Sequence, residues 1–423
     1  MKVKPLKKFN KIIENIASDK SISHRFAIFS LLAGEQSRAK NYLLAQDTLH
    51  SLDIVKSLGA KVKRKKDEVI INPPSTITSP NSILECGNSG TTMRLMIGLL
   101  SGIKGFFVLS GDKYLNNRPM KRISKPLSEI GAVIYGRDNA NLAPLCIIGQ
   151  DLKAFDYESK ISSAQVKTAM ILAGFKASEV SKFKEVSLSR NHSENMLKAM
   201  NAPLKISQDE LSIEISPLNK PLSPLNITIP NDPSSAFYFI LAALIIPNSK
   251  IRLKNILLNP TRIEAYKVLQ KMGANIEFIV DKNTNFEIVG DIIAKSSHLS
   301  SIEVSENIAW LIDEAPGLAI AFAMAKGKSI LSNAKELRVK ECDRISCVVT
   351  NLRAFGIEVN ELDDGFEIIG GRPKFARVNS FGDHRIAMSF AILGLVCGAY
   401  IEDDECIKTS FPNFKELLKS LNK

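Results

Sequence analysis

The sequence predicts a two-domain α/β protein built from six copies of one supersecondary unit. Three observations predict it. Helix stops recur along the chain at similar spacing, and each interval also holds a second helix that is apolar nearly all round. The length of 423 residues exceeds one ordinary core and suggests two domains of about 200 residues.

The first signal is a helix followed by Gly or Asn and then by alternating apolar residues. It occurs at Lys56-Ser57-Leu58-Gly59-Ala60, Ser128-Glu129-Ile130-Gly131-Ala132, Lys198-Ala199-Met200-Asn201-Ala202, Gln270-Lys271-Met272-Gly273-Ala274 and Arg353-Ala354-Phe355-Gly356-Ile357. Gly and Asn tolerate the left-handed conformation that closes a helix. A β-hairpin is expected after each stop, as in Gly356 through Ile369 with Asp363-Asp364-Gly365 at its turn. Lys61-Val62-Lys63-Arg64-Lys65-Lys66 reads as one solvated hairpin of this kind.

The second signal comprises Phe26–Ala33, Met93–Leu100, Thr168–Gly174, Ala236–Ile246, Leu318–Ala325 and Ile386–Val396. A helix without a polar face must be buried on all sides. Each unit of about 70 residues then reads strand, buried helix, strand, amphipathic helix, hairpin. The sixth copy stops after the amphipathic helix Phe414 to Leu421, and the segment Met1–Leu6 is expected to supply its strand. The expected domains are 1–18 with 230–423, discontinuous, and 19–229, continuous. Each has three units, and two thin crossings permit closure of an intervening cleft around a ligand.

With 45% hydrophobic and 24% charged residues the chain reads as globular. The net charge of +12 calls for anionic partners: nucleic acid, a membrane surface or small polyanions. Six cysteines without a CxxC pair read as reduced thiols, and no signal peptide, membrane span or metal-ligand spacing is evident. The expectation is a cytoplasmic protein without metal or cofactor.

Polar groups gather where the buried helices begin. These are Lys20-Ser21 with Arg25, Asn88-Ser89-Gly90-Thr91-Thr92 with Arg94, Ser162-Ser163-Ala164-Gln165 with Lys167, Asp232-Pro233-Ser234-Ser235, Asp313-Glu314 and Asp383-His384-Arg385. A helix start offers free N–H groups and the positive end of the macrodipole, so cations there make an anion site. The amphipathic helices add Arg118, Arg190, Arg262 and the run Arg338 to Arg344. Cations focused in this way fit small anions better than nucleic acid. Ordinary capping is the other reading of the Lys20 stretch and the simplest one for Asp232. Asp313 lies among Trp310-Leu311-Ile312 and Ala315-Pro316, an apolar setting in which a carboxylate gains proton affinity and serves as a general base, with an N-cap as the alternative.

Asp19-Lys20-Ser21-Ile22-Ser23-His24-Arg25, Gly87-Asn88-Ser89-Gly90-Thr91-Thr92-Met93-Arg94, Arg338-Val339-Lys340-Glu341-Cys342-Asp343-Arg344 and Gly382-Asp383-His384-Arg385 resemble the signatures of the EPSP synthase family. Ser163-Ala164-Gln165-Val166-Lys167 and Ser189-Arg190-Asn191-His192-Ser193-Glu194 are similar to its class II branch. The resemblance implies an inside-out α/β barrel of two domains, each with three βαβαββ units. It also implies transfer of the enolpyruvyl group of phosphoenolpyruvate to the 5-hydroxyl of shikimate 3-phosphate.

Carried over by motif, Lys20, Ser21, Arg25, Ser163, Ala164, Gln165, Arg190, Asp313 and Lys340 bind shikimate 3-phosphate. Lys20, Gly90, Arg118, Gln165, Arg344 and Arg385 bind phosphoenolpyruvate. Asp313 is the base, Glu341 the proton donor to C3, and Lys20 spans both substrates. Neither a metal nor a covalent enzyme intermediate is implied, and one chain supplies both halves of the cleft, so a monomer without nucleic acid or membrane is expected.

The chain departs from the commoner pattern in three places. Ala17-Ser18 stand where Pro-Gly is usual, Leu95 stands where Pro often follows Arg94, and Thr409 holds the place of a lysine, with Lys408 one step earlier. Glyphosate is the family's phosphoenolpyruvate-like inhibitor; Gly90 favours sensitivity, and Leu95 with the class II features argues against it. A UDP-N-acetylglucosamine enolpyruvyl transferase carries a cysteine shortly before an Arg-Pro pair, whereas the loop Gly111 to Pro119 has none.

Overall fold

Gly59, Gly131, Gly273 and Gly356 have φ of +100°, +101°, +97° and +78°, and Asn201 has +56°. Each closes an amphipathic helix: Gln46–Ser57, Lys121–Glu129, His192–Ala199, Glu264–Lys271 and Arg344–Ala354. The left-handed turn lets the chain reverse into an antiparallel pair, such as Lys61–Lys65 with Glu68–Asn72 or Glu358–Leu362 with Gly365–Ile369. These elements come from a computed structural model that describes residues 1–281 and 286–422.

The six apolar helices span Lys20–Phe29, Gly90–Ser101, Ala164–Gly174, Pro233–Ile245, Ala315–Met324 and His384–Cys397. All thirteen residues of Pro233–Ile245 are buried. Burying each large apolar side chain contributes roughly 1.5–3 kcal/mol, so these helices hold the core. Close approach depends on small residues. A Cβ on Gly98 would lie 2.4 Å from the carbonyl oxygen of Ala169, because the second and third helices touch there through backbone. Backbone cannot swing aside, so this position admits only glycine.

The chain divides into two compact units, Met1–Ser18 with Pro230–Lys423, and Asp19–Ile229. In each, three apolar helices pack at the centre and three sheets lie outside them. Strands alternate buried and exposed residues, as in Ser181–Glu185, so each sheet has one face on the helices and one in solvent. This is the inside-out α/β arrangement. In the four-stranded sheets a parallel pair adjoins an antiparallel hairpin, as in Asp156–Ser159, Ser181–Glu185, Ser212–Ile215 and Leu204–Ile206.

Each unit pairs the strands nearest the crossings within itself. Asn10–Ile13 pairs in parallel with Lys250–Leu253, and Asn226–Thr228 pairs in parallel with Arg38–Lys40. Lys2–Val3 pairs antiparallel with Ala399–Tyr400 and completes the sheet of Ala376–Asn379 and Ala399–Glu402. At the Ala17-Ser18 departure, the Ala17 carbonyl accepts from Asp232 N–H at 2.8 Å and Ser18 pairs with Asn231. Asn231 Nδ2 donates to the carbonyls of Glu14 and Lys254, both at 2.8 Å. These bonds join the two chain ends of the discontinuous unit to each other.

Candidate active site

In the Asp19–Ile229 unit the helix starts are capped by side chains from within the motifs. Asp19 accepts from Ile22 N–H at 2.8 Å, Ser89 from Thr92 N–H at 3.1 Å, and Ser163 from Val166 N–H at 3.4 Å. Capping is thus present, but by the residues that precede the cations. Lys20 reaches Asp47 at 2.9 Å, and Ser21 is half-buried beside it. Arg25 is buried, donating through Nε to Ser193 at 2.7 Å and through its terminal nitrogens to Thr168 and the Ser21 carbonyl, each at 3.2 Å. His24 is wholly buried with Nδ1 2.7 Å from Ser51 Oγ. Burial, then the charges of Lys20 and Arg25, hold its pKa well below the ordinary histidine value.

Gly90 is buried between two guanidinium groups. A Cβ there would stand 2.9 Å from Arg94 Nη1 and 3.5 Å from Arg118 Nη1. Arg94 donates to Gln165 Oε1 at 2.7 Å and to the Pro119 carbonyl at 3.1 Å. Gln165 Nε2 in turn donates to Thr91 at 3.0 Å, so the second and third helix starts are laced together. Arg118 donates to Asn88 through both the side-chain oxygen and the backbone carbonyl. Asn88 is itself held by Asp112 at 2.7 Å. Ser163, Ala164 and Gln165 open the third helix half-buried, and Arg190 stands half-buried just before the helix His192–Ala199.

The other unit gathers Asp313, Glu341, Arg344 and Arg385. Arg344 is 2% exposed and donates to Asp383 and to Glu341, each at 2.8 Å, with Asp313 at 3.6 Å. Arg385 lies 3.9 Å from the second oxygen of Asp313. Burial opposes the charge on Arg344, but Asp383, Glu341 and Asp313 outweigh it and raise its pKa well above the ordinary value. Burial likewise opposes the charge on Arg385, and Asp313 is the largest influence raising its pKa. The apolar setting expected for Asp313 is corrected here: its carboxylate faces two guanidiniums, since Arg344 and Arg385 arrive from distant segments. Nor does it cap the helix; Glu314 holds that position and makes no side-chain cap bond. Lys340 pairs with Glu336 at 2.7 Å on the segment that carries Glu341.

Several expected anion-site cations are engaged elsewhere. Arg262 bonds to Asp232 at 2.9 Å and Ser234 at 3.0 Å, and Asp232 also caps its helix. Arg338 bonds to Asp343 at 2.7 Å and Glu361 at 3.0 Å, which fixes the start of Arg344–Ala354. Lys167 is buried between Glu185 and Glu194, at 2.7 and 2.6 Å. Lys408, half-exposed, pairs with Glu405. Sequence reasoning missed Asp47, Asp383 and Ser193 as partners of Lys20, Arg344 and Arg25. Asp383 carried a signal, as the residue before the helix, and Ser193 lay within the class II motif, but Asp47 carried none that distinguishes it from a surface polar residue.

Buried guanidiniums at the starts of apolar helices, with carboxylates set among those of one unit, define an α/β enzyme of small anionic substrates. The family model of EPSP synthase (3-phosphoshikimate 1-carboxyvinyltransferase) matches residues 3–418. A 3-phosphoshikimate 1-carboxyvinyltransferase of Campylobacter jejuni is 70% identical over 413 residues, covering 97% of this chain and 96% of that protein. One of Campylobacter concisus is 60% identical over 423 residues, covering 100% and 98%. The solved EPSP synthase of Acinetobacter baumannii superposes with a TM-score of 0.86 at 34% identity, covering 99% of this chain and 97% of that one. The chain belongs to the EPSP synthase family.

Proposed function

We infer that the chain transfers the enolpyruvyl group of phosphoenolpyruvate to the 5-hydroxyl of shikimate 3-phosphate, releasing phosphate, in the shikimate pathway to chorismate and the aromatic amino acids. The observation that carries this is family membership over nearly the whole chain at 70% identity. The roles of individual residues follow as proposals. Asp313 takes the proton of the 5-hydroxyl as that oxygen attacks C2 of the enol, and Glu341 delivers a proton to C3. Such positioned proton transfers each contribute about 10²–10⁴-fold. The tetrahedral intermediate then expels phosphate as Glu341 takes a proton back from the C3 methyl and restores the double bond; the proton held by Asp313 passes to the departing phosphate, whose charge is met by Lys20, Arg118, Arg344 and Arg385.

Lys20, Ser21, Arg25, Ser163, the Ala164 backbone, Gln165, Arg190, Asp313 and Lys340 hold shikimate 3-phosphate. Lys20, Gly90, Arg118, Gln165, Arg344 and Arg385 hold phosphoenolpyruvate. Supporting this split, Arg25, Arg118 and Arg344 are each buried and oriented by two or more hydrogen bonds, which suits bidentate recognition of carboxylate and phosphate.

The chain acts as a cytoplasmic monomer without nucleic acid, membrane, metal or cofactor. Six free thiols and the presence of both residue sets in one chain support this. Among the described residues no helix is long and apolar enough to cross a membrane. A sedimentation mass near 46.6 kDa tests the monomer. Phosphate release from phosphoenolpyruvate with shikimate 3-phosphate, beside a parallel reaction with UDP-N-acetylglucosamine, tests the activity. Release with the nucleotide sugar alone would replace this reading with that of the related transferase.

A further inference from the structure

Lys167, Glu185 and Glu194 form an ion triad whose side chains are 1%, 0% and 4% exposed. Its members come from the third buried helix, the strand Ser181–Glu185 and the helix His192–Ala199. The same Glu185 oxygen that meets Lys167 accepts from Ser189 N–H at 2.9 Å, one residue before Arg190. Next to Lys167, Thr168 Oγ1 meets Ser193 Oγ at 2.5 Å, and Ser193, adjacent to Glu194, accepts from Arg25 Nε at 2.7 Å. Two carboxylates on one ammonium leave a formal charge of −1 in the interior, and one oxygen of each carboxylate lacks a hydrogen-bond partner. Replacing such a cluster by apolar residues is often neutral or stabilising, so stability alone is a weak reason for it.

We infer that the Lys167–Glu185–Glu194 triad is a positioning device that sets Arg190 and Arg25 for the phosphate of shikimate 3-phosphate. Glu185 ties down the loop in front of Arg190, and Glu194 fixes the helix whose Ser193 aims Arg25. None of the three is among the residues proposed to bind substrate. The inference rests on Arg25 and Arg190 being ligands of that substrate.

Steady-state kinetics of Glu185→Ala, Glu185→Gln and Arg190→Ala, run side by side with thermal melts, test it. Glu185→Ala is expected to raise the KM for shikimate 3-phosphate about tenfold while the KM for phosphoenolpyruvate stays within about twofold and kcat within about threefold. Glu185→Gln retains an acceptor for Ser189 N–H and is expected to restore the KM to within about threefold of wild type. A shikimate 3-phosphate KM left within about twofold in Glu185→Ala overturns the inference, as does an equal rise in both KM values. If Arg190→Ala leaves that KM unchanged while Glu185→Ala raises it, Arg190 is not a ligand and the triad acts through Arg25.

Amide exchange on the unliganded wild type serves if Glu185→Ala does not fold. Slow exchange at Ser189 relative to exposed Ser187 is expected. Equal rates until shikimate 3-phosphate is added would overturn a preset loop.

Discussion

Asp383 binds Arg344 and caps the helix that carries Arg385, with one oxygen for each task. Its Oδ2 accepts from Arg344 Nε at 2.8 Å, and its Oδ1 accepts from Arg385 N–H at 2.7 Å. Two proposed phosphoenolpyruvate ligands are therefore aligned by one fully buried carboxylate. Asp383→Ala removes the Nε partner of buried Arg344 and leaves it Glu341 and Asp313, so the loss should fall below the about 3–5 kcal/mol of a buried charge left wholly unpaired. Denaturant unfolding should register that loss, together with a rise of about tenfold or more in the KM for phosphoenolpyruvate.

Asp313→Ala removes the proposed base. Turnover should fall by about 10²–10⁴-fold while far-UV circular dichroism is unchanged, because the side chain is a quarter exposed and outside the core. Near-normal turnover in the folded variant would take Asp313 out of the mechanism.

Gly90→Ala places a methyl 2.9 Å from Arg94 Nη1, the atom that donates to Gln165. The guanidinium end can yield, so the fold survives, but the link from the second to the third helix start is disturbed. The expected outcome is a KM for phosphoenolpyruvate raised about fivefold, with weaker glyphosate inhibition, read in one inhibitor titration.

Lys20→Met should raise both KM values, because one ammonium is proposed to meet two anions. It also leaves Asp47, 6% exposed, without its cation. An effect on one substrate alone would argue against bridging, and a melt separates it from a general loss of stability.

His24 gives a pH dependence of stability. Its folded pKa lies well below 6.5, whereas the unfolded histidine titrates near the ordinary value. Below 6.5 the unfolded chain takes up a proton that the folded chain refuses, so stability falls as pH falls. This group contributes a slope of up to about 1.4 kcal/mol per pH unit, present between its lowered folded pKa and about 6.5 and absent above that. Unfolding free energies at pH 7.5 and 5.5, for wild type and His24→Asn, should diverge in that direction.

Local rules made much of the fold legible. Gly59, Gly131, Asn201, Gly273 and Gly356 announce their left-handed turns because few residues tolerate that backbone, and the apolar helices announce burial because water excludes them. The motifs located the starts of those helices. Partners across long stretches of chain were not legible: Arg262 looks like Arg344 in sequence, yet one bonds to a helix cap and the other gathers Asp313, Glu341 and Asp383. Asp313 was misread in its surroundings for the same reason, since proximity in sequence to Trp310 and Leu311 says nothing of two arginines arriving from elsewhere.

The long sequence separation between paired strands of the discontinuous unit orders the events of synthesis. Asp19–Ile229 contains every strand its own three sheets use, so it is complete once Thr228 has emerged from the ribosome. Asn10–Ile13, made earlier, must wait for Lys250–Leu253, and Lys2–Val3 for Ala399–Tyr400. The earliest residues thus stay unpaired longest, and the first unit to be finished is inserted within the one that begins the chain.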